Sequence, residues 1–387
     1  MTISSSTTPI DTSWIREQEF PLTQRWAYLN HGSVGPLPTR TIQALNAVNA
    51  CFAEPHLWEI SNRCAPQCAV RDTIARLAGV RPARVAFVGS TGHGISICAA
   101  GIDWQTGDEV VIPQSEYPSL ALPFLAQAIN GVSVRWAPKN AAGRTDLNAI
   151  EAEMSDRTRA VAISYVEYAD GYRNDLSALA EFCRSRDVML IVDATQAMGA
   201  LPLMLDEWGV HAAVAHGYKW LHSGFGIAVA AFSEEGLERI RPTHAGGRSV
   251  CNNPYVAEPA LMWDPTAQRF ETGEPANTLI AGMAASLSLL DEVGVERILP
   301  HAQGLIDELV VGVRERGYEI ASSLDPAHRS QYVAITAGSS DADLRLHVSL
   351  TEAGVITALR PKGLRVAPSF YNDTSDIHRL IDALPEH

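Results

Sequence analysis

The sequence is short of basic residues and of cysteine, and nowhere does it string together an apolar run long enough to cross a bilayer. Lys and Arg number 30 against 44 Asp and Glu, a formal charge of −14. No cationic surplus is therefore available to displace counterions from nucleic-acid phosphates, and no nucleic-acid partner is expected. Although 46% of the 387 residues are hydrophobic, no stretch approaches the ~18 uninterrupted apolar residues of a spanning helix. No membrane association is expected either. The start, MTISSSTTPIDTSWIREQEF, lacks the basic-then-apolar order of a secretory signal, which points to a cytoplasmic location. Its first dozen residues read as a frayed arm. The six cysteines (Cys51, Cys64, Cys68, Cys98, Cys183, Cys251) are too scattered for a disulfide framework in a chain of this size. Cys64 and Cys68 lack a second Cys or His pair at finger-like spacing, so they read as one face of a helix and not as a zinc site. Internal repeats are missing, as is low complexity beyond the Ser/Thr-rich start.

What is present is an alternation. From about residue 84, short β-branched runs take turns with longer stretches of helical period, the pattern of a sheet built from βα units. The strand candidates are VAFV (85–88), EVVIP (109–113), SVRWAP (133–138), AVAISYV (160–166), VMLIVDA (188–194), AVAHG (213–217) and IAVAAFS (227–233). Several are apolar at consecutive positions, which suits strands covered on both faces, as in a mostly parallel sheet. The fold class is thus α/β, with a seven-stranded sheet in a large domain. After the turn-forming GEP at 273–275 the pattern changes to long helical period, then short strands and further helices, which predicts a smaller C-terminal α+β domain. The expected division is an arm at 1–25, a large domain at 26–274 and a small domain at 275–387.

In open α/β sheets, ligands bind outside the carboxyl ends of the strands. The run VMLIVDA delivers Asp193 there. A buried carboxylate is costly to ionise without a cation, and a protonated pyridinium nitrogen is one cation that fits. Further on, AVAHG leads into YKWLHSGFG and places Lys219 at a second strand end. Desolvation lowers an amine's pKa and frees its lone pair to attack an aldehyde, the property of a Schiff-base lysine. Alone, Asp193 has a second reading as a helix cap, and Lys219 alone would more often be a snorkelling surface lysine. The pair at neighbouring strand ends is more specific. A third element, VAFVGSTGHGISICAAGI, supplies strand, small-residue turn and helix start. There Gly89, Ser90, Thr91 and Gly92 can bring backbone N–H groups to a phosphate.

In this order the residues resemble the class V aminotransferase branch of the fold-type I PLP-dependent transferases, which holds cysteine desulfurases, isopenicillin N epimerase-like proteins and kynureninases. The resemblance spans nearly the whole chain. It implies pyridoxal 5′-phosphate as cofactor, with Ser90, Thr91 and Gly92 at its phosphate, Tyr117 of SEYPS stacked on its ring, Asp193 at the ring nitrogen and Gln196 at the ring hydroxyl. His216 and Tyr218, just before Lys219, fall where the family places further phosphate ligands. Arg365 in GLRVAPSFYND falls where an arginine forks onto the substrate α-carboxylate. Asn30, His31 and Gly32 in YLNHGSVGPLP fall at the active-site mouth. RFETGEP resembles the segment that reaches the partner subunit's phosphate in a homodimer with shared sites. Glu274 stands there where desulfurases usually have Thr, which shifts the expected contact to Thr272.

The resemblance implies removal of an amino-acid α-proton by Lys219 after formation of an external aldimine, and leaves the fate of the α-carbanion open. Desulfurases carry a mobile cysteine on a long loop before the carboxylate-binding arginine, whereas TALRPKGLRVAP is compact and all six cysteines precede residue 252. The leading expectation is β-elimination, a C–S lyase reaction, on an S-substituted L-cysteine or related amino acid in specialised metabolism. The alternatives are an epimerase or aminotransferase acting on a non-standard amino acid, and a non-catalytic PLP-fold binding protein.

Overall fold

The computed structural model describes residues 9–54, 64–252 and 260–385. Seven strands form the central sheet where the sequence pattern marks them: β1 Val85–Val88, β2 Glu109–Pro113, β3 Ser133–Ala137, β4 Thr158–Ser164, β5 Met189–Asp193, β6 Ala212–His216 and β7 Ala228–Phe232. Their spatial order is β1-β7-β6-β5-β4-β2-β3. Only β7 opposes its neighbours; the remaining pairs are parallel. The carboxyl ends of the other six strands therefore reach one edge of the sheet.

Side chains alternate across a strand, and here both sides are buried. Leu190 and Val192 of β5 enter one apolar core while Met189 and Ile191 enter the other, and β1, β4, β6 and β7 divide the same way. This is why the runs read as continuous apolar segments. The helices that bear on the site or the cores are α1 Thr39–Cys51, α2 Cys64–Ala78, α3 Thr91–Gly101, α4 Asn277–Val293 and α5 Val295–Glu315. Cys64 and Cys68 sit one turn apart on α2, both exposed and free. α3 lies close on the sheet because Gly94 faces β6: a Cβ there would stand 2.6 Å from Val214 Cγ1.

A second sheet, β8 Glu319–Ile320, β9 Val333–Thr336, β10 Ala358–Arg360 and β11 Gly363–Val366, has the order β10-β11-β9-β8 and is antiparallel throughout. Its core takes Leu305, Leu309 and Val313 from α5, and also Ala27 and Leu29 from near the start of the chain. Ala27–Tyr28 pairs in parallel with Val355–Ile356, and Asn30 bridges Ala367. The two ends of the chain are thus stitched together beside the large sheet.

Two expectations are corrected by this packing. α4 follows the junction expected at 273–275, yet Ile280, Met283, Leu287 and Leu290 lie in the core of the large sheet. An apolar stripe must be covered, and α1 and α2 are the elements that cover it. Residues 1–8 of the expected arm lie outside the described residues, but Ile10 and Ile15 are buried in the main core and Asp11 caps the turn at Thr12–Trp14. From residue 9 onward this is packed structure and not a frayed arm. Among the described residues no single helix is long and apolar enough to span a membrane. α4 and α5 reach that length together but are bent by 72°, and both bury apolar residues inside the protein.

Candidate active site

The carboxyl ends of β1, β2, β4, β5 and β6 surround a cleft with about 440 Å³ of empty space, its open mouth included. Two residues beyond β1 stands Ser90, whose Oγ caps α3 by accepting the His93 N–H at 3.1 Å. First-turn N–H groups have no intrahelical partner, so those of Thr91 and Gly92 are left for an anion. Thr91 lines the cleft, and its Oγ1 lies 2.7 Å from Thr195 Oγ1. Gly92 does not line it, although a Cβ at Gly92 would stand 3.9 Å from the Ser119 side chain, which does.

Asp193 ends β5. Its Oδ1 accepts the Thr195 N–H at 2.8 Å, and burial pushes its pKa up against that bond and the nearby Lys219 charge. Such a carboxylate calls for a cation at its other oxygen. Lys219 follows β6 and is 8% exposed. Burial first, then the charges of Arg365 and Arg360, bring its amine down to about 8, with Asp193 opposing. Nζ lies 5.8 Å from the Tyr117 ring centroid and 5.6 Å from that of Tyr218. Both rings line the cleft, as does Tyr168, which meets Tyr117 edge-on at 5.3 Å. His216 also lines it; burial lowers its pKa to about 4, and its Nδ1 is buried with no partner.

Gln196 reaches the cleft with its amide already engaged. Nε2 donates to Gly32 O at 2.9 Å, and Oε1 accepts from Trp220 Nε1 at 3.0 Å. One amide hydrogen remains for a ligand.

The N-terminal segment differs from expectation. Neither Asn30, His31 nor Gly32 lines the cleft. His31 is fully buried, with Nε2 3.1 Å from the backbone oxygen of Lys219 and Nδ1 3.3 Å from Tyr371 Oη. Its ring packs against Trp220 and His222, and burial holds it well below the usual histidine range. It is a neutral strut behind Lys219 and not part of a mouth. Asn30 Oδ1 is buried without a partner. Gly32 abuts Arg365: a Cβ there would sit 3.0 Å from Cζ, so glycine is what lets the guanidinium lie in place.

Arg365 is 1% exposed and also lies outside the lining of the cleft. Its Nη1 donates to Tyr168 O at 2.7 Å and its Nη2 to Ser33 Oγ at 2.8 Å, while Nε is buried unpaired. Thr272 and Glu274 are exposed on the surface, Glu274 3.9 Å from Arg248, and neither enters the cleft of its own chain.

Sequence reasoning missed several residues. Thr195 ties Asp193 to Thr91, and Ser164 and Tyr168 line the cleft. Glu116, buried, accepts from Ser164 N at 2.7 Å, Ser164 Oγ at 2.6 Å and Tyr117 N at 3.1 Å. Burial, followed by the charge of Glu167, raises its pKa well above the carboxylate range. Only the position of Glu116 beside Tyr117 could have flagged it. Arg360 of β10 donates from Nη2 to Ser33 Oγ at 2.6 Å.

The donor set suits pyridoxal phosphate: an amine with its pKa lowered toward neutrality, a buried carboxylate in want of a cation, aromatic rings beside the amine, and a capped helix start in the same cleft as an unpaired imidazole nitrogen. Comparison with known proteins agrees. The chain is 27% identical to isopenicillin N epimerase of Amycolatopsis lactamdurans, over 97% of this chain and 99% of that protein. It is 23% identical to a probable cysteine desulfurase of Methanothermobacter thermautotrophicus, over 95% and 96%. Among solved structures it superposes on C-DES, a cystine C–S lyase in complex with its product cysteine persulfide, with TM-score 0.83 and 24% identity over 94% of this chain and 98% of that one. The profile of the family described as Aminotransferase class-V matches residues 61–379, and the chain belongs to that family of fold-type I, pyridoxal-phosphate-dependent enzymes.

Proposed function

We infer that this protein is a pyridoxal-phosphate-dependent lyase that cleaves the C–S bond of an S-substituted L-cysteine or related amino acid by β-elimination. The observation that carries the reading is the buried Lys219 amine, brought down to about 8 and held in one cleft with Asp193 and Tyr117. When bound, pyridoxal phosphate supplies an electron sink for the substrate's α-carbon. Asp193 would hold the proton at the ring nitrogen, and Tyr117 would cover the ring. Ser90, Thr91, Gly92, His216 and Tyr218 present donors for the phosphate, and Gln196 keeps one hydrogen for the ring hydroxyl. With its pKa near 8, Lys219 can take and return a proton near neutral pH. Arg365 orients the α-carboxylate through its unpaired Nε.

The choice of elimination rests on the β10–β11 hairpin. Only Pro361 and Lys362 join the two strands, and no cysteine occurs after Cys251, so no mobile thiol on that hairpin can receive sulfur. Thr272 and Glu274, exposed on the surface, are placed to complete the site of a second copy in a soluble, cytoplasmic homodimer, Glu274 from its ion pair with Arg248. Epimerisation is the second reading, favoured by the match to isopenicillin N epimerase along nearly its full length. The test incubates the yellow purified enzyme with S-substituted cysteines. Pyruvate with free thiol is expected; keto acid from the intact skeleton, or inverted substrate, would replace the reading. A colourless protein that borohydride does not alter would remove catalysis altogether.

A further inference from the structure

Glu116 is a buried carboxyl that the chemistry above does not use. It stands just beyond β2, directly before Tyr117, and is 8% exposed. Its Oε1 accepts the Ser164 N–H at 2.7 Å, and its Oε2 meets both Ser164 Oγ at 2.6 Å and the Tyr117 N–H at 3.1 Å. One carboxyl thus ties together two residues that line the cleft, Tyr117 after β2 and Ser164 at the end of β4. No cation offsets it. Among the described residues Glu116 forms no salt bridge, and the charges that face it are acidic: Glu167 in the loop after β4, and Asp193 of β5, which pairs in register with Ser164. The cations of this region serve other carboxylates, Lys139 standing 3.9 Å from Glu167 and Lys362 2.5 Å from Asp170. Burial among like charges favours the neutral acid. These two causes, burial first, hold the Glu116 pKa well above the carboxylate range.

The hydrogen bonds then fix where the proton sits, because a protonated carboxyl has one O–H to give and must find an acceptor for it. Oε1 faces only an N–H. Oε2 faces an N–H and a hydroxyl, and of these partners the hydroxyl alone can accept, so the proton belongs on Oε2 and is donated to Ser164 Oγ. Ser164 is then relieved of donating to Glu116. Among the described residues its Oγ has no other side-chain or backbone partner, which leaves its hydrogen for the cleft that Ser164 lines. An ionised Glu116 would draw that hydrogen back. We propose that Glu116 is a positioning residue which, as a neutral acid, turns the Ser164 hydroxyl into a donor toward an acceptor oxygen of bound pyridoxal phosphate and fixes the backbone of Tyr117 beside it. The inference rests on the placing of the cofactor in this cleft and not on the choice of elimination.

The first measurement needs no cofactor. In the infrared difference between wild type and Glu116→Gln near neutral pH, the C=O stretch of a protonated carboxyl should be missing from the variant. Loss of carboxylate bands in its place overturns the proposal. The second measurement follows release of pyridoxal phosphate from the holoenzyme by its visible absorbance. Ser164→Ala should hold the cofactor about tenfold less tightly, the worth of one hydrogen bond. Glu116→Gln, whose amide can donate to Ser164 Oγ as the acid does, should keep more of the wild-type affinity than Glu116→Ala. Unchanged affinity in Ser164→Ala, or a Glu116→Gln variant no better than Glu116→Ala, overturns the proposal. Neither measurement uses turnover, so a failure of the elimination reading, seen as absence of pyruvate, leaves both results standing.

Discussion

The wall of the cleft and a second wall of arginines that lies outside its lining are built in opposite ways. On one side, Thr91, Asp193 and Lys219 stand at or just beyond the carboxyl ends of three strands of one sheet, each next to a run buried on both faces. On the other, Ser33 from the start of the chain meets Arg360 and Arg365 of a hairpin in the second sheet. The first wall is fixed by the core and holds its groups through short local links, such as the Thr195 bonds to Asp193 and Thr91. The second is held by a few contacts across more than 300 residues of sequence. On the proposed function, cofactor chemistry sits on the rigid element, and substrate selection on the part that can change without disturbing it.

If that division is right, damage to the first wall should affect the chemistry and damage to the second should affect substrate affinity. The largest effect is expected for Lys219→Ala. Turnover should fall by roughly 10³-fold or more, while the protein stays folded and keeps pyridoxal phosphate non-covalently, as gel filtration with absorbance detection would show. Retained turnover would remove Lys219 from its role. Asp193→Asn should slow exchange of the substrate α-proton by about 10²-fold and weaken cofactor retention. Proton exchange at the wild-type rate, followed by NMR in deuterated buffer, would contradict the pairing.

A third expectation concerns the cofactor-free protein. The Lys219 pKa is lowered from 10.5 to about 8 by folding, so the unfolded chain holds its proton more tightly between those values. Native stability should therefore rise with pH from about 8 toward 10.5, and below that window the buried charge is a liability. Lys219→Met removes it and should stabilise the cofactor-free protein by roughly 3 kcal/mol at pH 7, with the gap closing by pH 10.5. Urea unfolding at the two pH values measures this, and a pH-independent gap would show that the charge is not the cause. The smallest effect belongs to the second wall: Ser33→Ala should raise KM by roughly tenfold, because it frees two guanidinium groups from their shared acceptor. A fall in kcat with KM unchanged would place Ser33 on the chemical side instead.

Six of the seven strands of the large sheet were legible because a period of two with both faces buried leaves nearly unbroken apolar runs, the exposed edge strand β3 being the exception, and Asp193 and Lys219 were legible because a charge at the end of such a run is conspicuous. His31 was misplaced. Its polar side chain suggested a mouth, whereas it lies buried under Lys219 among Trp220, His222 and Tyr371. α4 was assigned to the wrong side of the GEP turn at 273–275, because a turn marks a change of element and not a change of core. Glu116 and Thr195 passed unnoticed, since hydrogen-bonded linkers carry no periodic signal.

By itself the sequence determined the sheet, the strand ends and hence the chemical groups set around the cleft, because each follows from contacts local in the chain or from a residue's place at the end of a buried run. Only the tertiary structure decided that Ser33, Arg360 and Arg365 stand together and that His31 supports Lys219. Those arrangements depend on how the Ala27–Tyr28 strand pairs with Val355–Ile356 and how the second core closes over it. Such long-range pairing reflects the whole molecule's need to bury its apolar surface, which no local stretch of residues expresses.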